Sequence, residues 1–188
     1  MNVNRLTLYL NKMTGIHIQY HKTKIGEMIL GSFDDKLCLL DFRYRKMRQR
    51  IDNRIKNGLK SDYIEKDDTV LSETRVQLDE YLCGLRREFT VSLETVGSDF
   101  QKSVWEALIK VPYGSTSSYS QLAKDIGNSN AVRAVANANG ANCIGIIIPC
   151  HRIIGSNGEL VGYAGGLPIK KRLLKLEENY NLLGFKLN

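Results

Sequence analysis

The stretch "IIIPCHRIIG", residues 146–155, sets a cysteine and a histidine side by side behind a proline, between two runs of isoleucine. A thiol has a pKa of about 8.5, and a base or cation within reach raises its thiolate fraction. Adjacent residues on a strand point to opposite faces, so Cys150 and His151 converge only where the apolar strand expected over 144–148 has ended. Pro149 supplies that break, and Arg152 adds a cation.

Downstream, "GSNGELVGYAGGLPIKKRLLKLEENYNLL" (155–183) reads as a glycine-rich loop running into a helix that Pro168 can start. Ile169, Leu173, Leu176 and Tyr180 mark its buried stripe, with Glu177 and Glu178 near the edge. A carboxylate accepting the second imidazole proton would complete a nucleophile, a base and an orienting group. Periodicity leaves both glutamates open.

Upstream, "SYSQLAKDIGNSNAVRAVANANG" (118–140) predicts two short helices, one capped by Ser118 and ended by Gly127, the other capped by Asn130 and running from Ala131 to about Asn139. That punctuation suits a helix-turn-helix, and equally a small helical hairpin. Alanines 131, 134, 136 and 138 leave one face nearly bare, with Arg133 as its cation. Such a face can pack on another helix or lie close against a ligand surface. Before it, "GSDFQKSVWEALIKVPYG" (97–114) carries a Ser98/Gln101 capping box and a stripe of Phe100, Val104, Trp105, Leu108 and Ile109.

The first half is patterned differently. "IHIQYH" (16–21) alternates as a half-buried strand, further strands follow near 27–33 and 37–44 across a turn at Asp34–Lys36, and "EFTVSLETV" (88–96) alternates again. A helix over 72–83, started by Ser72 and closed by Gly84, carries Leu71, Leu78, Leu82 and Leu85 at helical spacing. The period changes near residue 97, which predicts domains over 1–97 and 98–188. His17 and His21 would stand about 13 Å apart at roughly 3.3 Å per residue, too far to share an ion.

Cys38, Cys83, Cys143 and Cys150 form no CxxC pair and read as free thiols, with Cys38 and Cys83 as small core residues. The opening "MNVNRLTLYLNKMTG" lacks a leader's apolar core and no apolar run reaches a membrane span, so a cytoplasmic protein without a membrane partner is expected. The net charge of +7 suits a polyanionic partner. Residues 101–188 hold 10 Lys or Arg against 5 Asp or Glu, so most of the excess lies in the half with the Cys-His pair. The basic run 43–60 reads as a solvated face or a nucleic-acid contact.

"RAVANANGAN" (133–142), "IPCHRIIG" (148–155) and "GYAGGLPIKKRLLKLE" (162–177) together resemble the O6-alkylguanine-DNA alkyltransferases, continuously over about residues 98–180. The resemblance implies an α/β protein: a ribonuclease-H-like sheet domain, then a mostly helical, winged-helix-like DNA-binding domain. It implies single-turnover repair, with an alkyl group passing from O6 of guanine, or O4 of thymine, to Cys150. His151 would take the thiol proton through a water and Glu177 would hold the imidazole. Tyr119 would assist the leaving base, and Arg133 would fill the gap left by the extruded nucleotide, with Ala134 and Asn130 also on the DNA. Asn142 would brace the turn before the active-site strand, and Ile153, Tyr163 and Ala164 would line the guanine pocket.

The implied partner is double-stranded DNA bound through the minor groove with a flipped alkylguanine. The protein would be a monomer, able to act cooperatively on DNA, and nucleoid-associated in a bacterium. No cofactor and no metal are expected: Phe33 stands near one position where some relatives place a zinc ligand. Cys143 follows Asn142 where relatives often have proline. A lesion-binding protein without chemistry and a thiol hydrolase or redox enzyme are the rivals. The retained Cys150 opposes the first, and the two-helix unit goes unexplained by the second.

Overall fold

The computed structural model describes residues 15–184, with side chains through Glu178. Residues 1–14, on which the reading of the opening segment rests, and the side chain of Tyr180, placed above on a buried stripe, lie outside the described residues.

Three antiparallel strands, β1 (Ile16–Thr23), β2 (Gly26–Phe33) and β3 (Lys36–Phe42), open the fold. Asp34 and Asp35 both take positive φ, 50° and 55°, which gives the β2–β3 hairpin a two-residue mirror-image turn whose twist matches the strands. The chain then forms α1 (Arg48–Leu59) and returns as β4 (Tyr63–Glu65), parallel to β1, so the sheet order is β3-β2-β1-β4. Helix α2 (Thr69–Leu82) packs across β1, β2 and β3. His17 and His21 each take an acid near this helix, His17 Nδ1 lying 2.8 Å from Asp68 and His21 Nε2 2.9 Å from Asp79.

The second half begins with α3 (Asp99–Ile109), closed at its start by the reciprocal Ser98/Gln101 capping box. Ser118 caps α4 (Tyr119–Asp125) through the amide of Gln121, and Gly127 leaves it at φ +72°. Helix α5 (Val132–Gly140) packs on α3 and α4, and Trp105 Nε1 donates to the Ala138 carbonyl at 3.0 Å. Two-residue strands β5 (Ser117–Ser118) and β6 (Ile153–Ile154) pair in parallel, and α6 (Leu167–Gly184) is the last element among the described residues. Among the described residues no helix is long and apolar enough to cross a membrane.

Several expectations are corrected. Residues 88–96 form no strand. One bridge ties Leu93 to Leu37, because further along β3 the edge is occupied by the other half of the chain: Leu40 N donates to Cys143 O at 2.8 Å and Gly145 N to Leu40 O at 2.7 Å. The stretch 144–148 is likewise no strand but a tight turn with Ile146 at φ +72°.

Helix α2 starts at Thr69, since Asp68 rather than Ser72 accepts the capping bond from Leu71 N, and Leu85 is 78% exposed beyond its end. Helix α5 has no side-chain cap: Ala131 N bonds to Asn128 O, and Asn130 is exposed in the turn. Ile109 is exposed rather than part of the α3 stripe, and Cys83 is exposed beside Lys24 rather than in the core.

Candidate active site

The polar end of "IIIPCHRIIG" folds as a single 3-10 turn, Cys150–Arg152, entered from Pro149. The turn before it is built by Asn142, whose Nδ2 donates to Ile148 O at 2.8 Å while its Oδ1 accepts from Ile144 N at 2.9 Å. These bonds satisfy buried backbone groups in a segment that meets β3 through a single bridge at Leu40, and they support a positive φ that a β-branched residue rarely adopts. The result brings Cys150, His151 and Arg152 together, each under 8% exposed.

His151 Nε2 lies 2.9 Å from Oε1 of Glu177 on α6, while its Nδ1 is buried with no hydrogen-bond partner. Glu178 is exposed, so the geometry selects Glu177, which is wholly buried. Arg152 clamps the same carboxylate, Nη2 to Oε1 at 2.9 Å and Nε to Oε2 at 3.0 Å, and its Nη1 donates to Val111 O at 2.7 Å. Gly114 N donates to Oε2 at 3.0 Å and the Tyr81 phenol to Oε1 at 2.6 Å. A buried charge is tolerated only when paired and hydrogen-bonded, and here every partner is in place.

Burial alone would raise the Glu177 carboxyl, but hydrogen bonds and charge from His151 and Arg152 outweigh it and hold the group at about 2. Burial keeps His151 below its ordinary value, with the Glu177 contact opposing that shift. The imidazole is therefore neutral near pH 7 and its free nitrogen can accept a proton. Burial pushes the Cys150 thiol up, against a side-chain hydrogen bond with Asn142 and the charges of Arg45 and Lys170. The resting sulfur is thus a thiol, and it needs a base at the moment of reaction.

Cys150 opens into a cavity of about 660 Å³ walled by Tyr119, Asn139, Tyr163, Ala164 and the glycines around them. Two family models match this chain: the 6-O-methylguanine DNA methyltransferase ribonuclease-like domain over residues 16–95, and the DNA binding domain of the same family over residues 99–179. A methylated-DNA–protein-cysteine methyltransferase of Methanosarcina barkeri is 46% identical over 84% of this chain and 94% of its own length. One from Methanosarcina mazei is 50% identical over 85% and 97%. The chain belongs to the O6-alkylguanine-DNA alkyltransferase family. A solved alkyltransferase structure, Mycobacterium tuberculosis OGT in complex with DNA, superposes with a TM-score of 0.75 at 37% identity, covering 88% of this chain and 94% of that one.

In this alkyltransferase, Cys150, Tyr119, Tyr163 and Ala164 share one cavity, whereas Arg133 and Asn130 are exposed outside it. Ala134 is exposed on α5 and lines a neighbouring cleft. The Ile153 carbonyl already accepts a bond from Lys170 Nζ. Lys170 also donates to Val161 O at 2.7 Å and Gly162 O at 3.3 Å, which ties the pocket loop to α6.

Neither Lys170 nor Tyr81 was expected from the sequence. The available signal for Lys170 was its place seven residues before Glu177, two turns along one helix face. Tyr81 sits in the other half of the chain and carried no local signal. Among the described residues no group of three or more His, Cys, Asp or Glu is placed to hold a metal ion.

Proposed function

We propose that the protein repairs DNA by moving a methyl or larger alkyl group from O6 of guanine onto Cys150 in a single irreversible turnover. One observation carries this reading: a buried thiol faces a cavity open to the surface, beside a neutral histidine whose outer nitrogen is tied to Glu177 and whose inner nitrogen is free.

The thiol proton passes to Nδ1 of His151 through a water. The sulfur attacks the alkyl carbon, a C–S bond forms as the C–O6 bond breaks, and the electron pair goes to the purine. Tyr119, whose phenol burial holds protonated and which lines the cavity, supplies a proton to the departing base. The product is an unactivated alkyl thioether, whose C–S bond water does not displace at neutral pH even beside a base, so each molecule acts once.

O6 of guanine is stacked inside a duplex, so the nucleotide must be extruded at a cost of a few kcal/mol. The two-helix unit α4–α5 would dock in the minor groove, with the small residues of α5 allowing close approach and Arg133 entering the vacated stack. Ala134 and Asn130 are exposed near it and suit backbone contacts. The lining residues Tyr163 and Ala164 suit a planar base, with Ile153 beneath the loop. Residues 1–97 and 98–188 would be the two domains of a protein that acts as a monomer.

The test is a titration of duplex carrying O6-methylguanine against protein. Restored guanine should plateau at one per protein molecule. Continued turnover would refute the reading.

A further inference from the structure

The basic run 43–60 divides into two kinds of residue. Arg43 pairs with Glu27 at 3.1 Å, Arg45 with Asp41 at 2.8 Å, and Arg48 with Asp41 and Asp52 at 3.2 and 2.8 Å. Arg54 donates to the Ala141 carbonyl at 2.8 Å, and Lys56 reaches Asp62 at 3.3 Å. These cations already have partners within the chain. Lys46, Arg50 and Lys60 are exposed, and none of the ion pairs among the described residues includes them. Lys60 lines neither of the two cavities beside α5, whereas Lys46 and Arg50 each line one.

Their position is specific. Lys46 and Met47 line the cavity that holds Cys150. Met47 and Arg50 line a second cleft of about 770 Å³, whose facing wall is Ala134 and Asn137 of α5. The segment therefore spans from the mouth of the nucleophile's cavity to the exposed face of the second helix of the two-helix unit. No Asp or Glu lines either space. Tyr44, 78% exposed, and Met47, 47% exposed, place apolar surface beside the cations.

We propose that Lys46 and Arg50 bind backbone phosphates of the DNA strand that carries the extruded nucleotide, so that the sheet half of the chain holds DNA jointly with α4 and α5. This rests on the reading of Cys150 as an acceptor from DNA. Charge complementarity selects the occupant: a surface with unpaired cations, no carboxylate and an apolar strip suits a polyanion that also presents sugar and base faces.

The test measures binding of unmodified duplex against salt concentration for the wild type, for Lys46→Ala/Arg50→Ala, and for Lys22→Ala/Lys60→Ala, which removes equal charge from exposed sites outside both cavities. Each phosphate contact contributes roughly 0.9 to the log–log slope, so loss of two should flatten it by about 1.8 and shrink the wild-type advantage about tenfold between 50 and 200 mM salt. The control pair should keep the wild-type slope. An unchanged slope for Lys46→Ala/Arg50→Ala, or an equal loss in the control pair, would overturn the proposal. Because no alkyl transfer occurs on unmodified DNA, failure of the Cys150 reading would show separately, as wild-type protein that binds with the expected slope yet takes up no alkyl group.

Discussion

The phenol of Tyr81 donates to Oε1 of Glu177 at 2.6 Å and lies 3.4 Å from Nε2 of His151, so a residue of the sheet half fixes the carboxylate that holds the imidazole. Arg152 and the Gly114 amide hold the same carboxylate from the other side. Removing the Tyr81 donor leaves the carboxylate a stronger acceptor for the imidazole N–H, which favours the imidazolium. Tyr81→Phe should therefore move the acidic limb of the pH–rate profile upward. It should also cost about 1.5–3 kcal/mol of stability, the range for a hydrogen bond to a charged group. Stability lost with an unmoved limb would reduce Tyr81 to a packing role.

Burial holds His151 below its ordinary value, so the rate of alkyl transfer should be level near neutral pH and fall only below about pH 6.5 as the base is protonated. Stopped reactions across pH 5 to 8 read this directly. A midpoint above pH 6.5 in the wild type would be inconsistent with a buried neutral imidazole.

Stability should follow the same groups. The Glu177 contribution is complete above its unfolded value of about 4.3 and is lost as pH falls toward 2, because the folded carboxyl resists protonation. His151, also depressed, begins to destabilise below about pH 6.5, where the unfolded chain takes up a proton that the buried ring refuses. Glu177→Gln should remove the Glu177 dependence and cost about 3–5 kcal/mol, because Arg152 would be left buried without its counter-charge. Thermal unfolding between pH 3 and 8 checks both.

A Cβ at Gly165 would stand 2.5 Å from the Phe42 ring, whose edge packs against Tyr163 at 5.9 Å between centroids. Gly165→Ala must displace either the Phe42 ring or the loop that walls the Cys150 cavity. Transfer from methylated duplex should slow by tenfold or more, about 1.4 kcal/mol of barrier, with the unfolding midpoint little changed.

Arg133→Ala should slow repair of duplex DNA about tenfold or more, in keeping with an extrusion cost of a few kcal/mol. Single-stranded substrate needs no vacated stack to be filled and should be far less affected. Equal losses on both substrates would assign Arg133 to general phosphate binding.

What was legible in the sequence was local. Ser98 with Gln101, Ser118 and Gly127 mark helix ends through bonds spanning a few residues, and each forms as read. The apolar run 144–148 has no periodicity to separate a strand from a buried turn, and the deciding information sits in the Asn142 side chain. Strand β4 has three residues and no alternation to detect. The strand expected at 88–96 failed because its place along β3 is shared with Cys143 and Gly145, a contact between chain segments about 100 residues apart. Tyr81 and Lys170 were missed for the same reason: a helix face announces burial, not which distant polar atom it meets.

The most direct test is mass analysis of peptides after one equivalent of duplex bearing O6-methylguanine has reacted. Transfer to Cys150 predicts that the peptide containing Cys150 gains one methyl group in exchange for its thiol proton, in amount equal to the guanine restored, with the Cys38, Cys83 and Cys143 peptides unmodified. Guanine restored with no alkyl on Cys150, or with the alkyl on another cysteine, would contradict it.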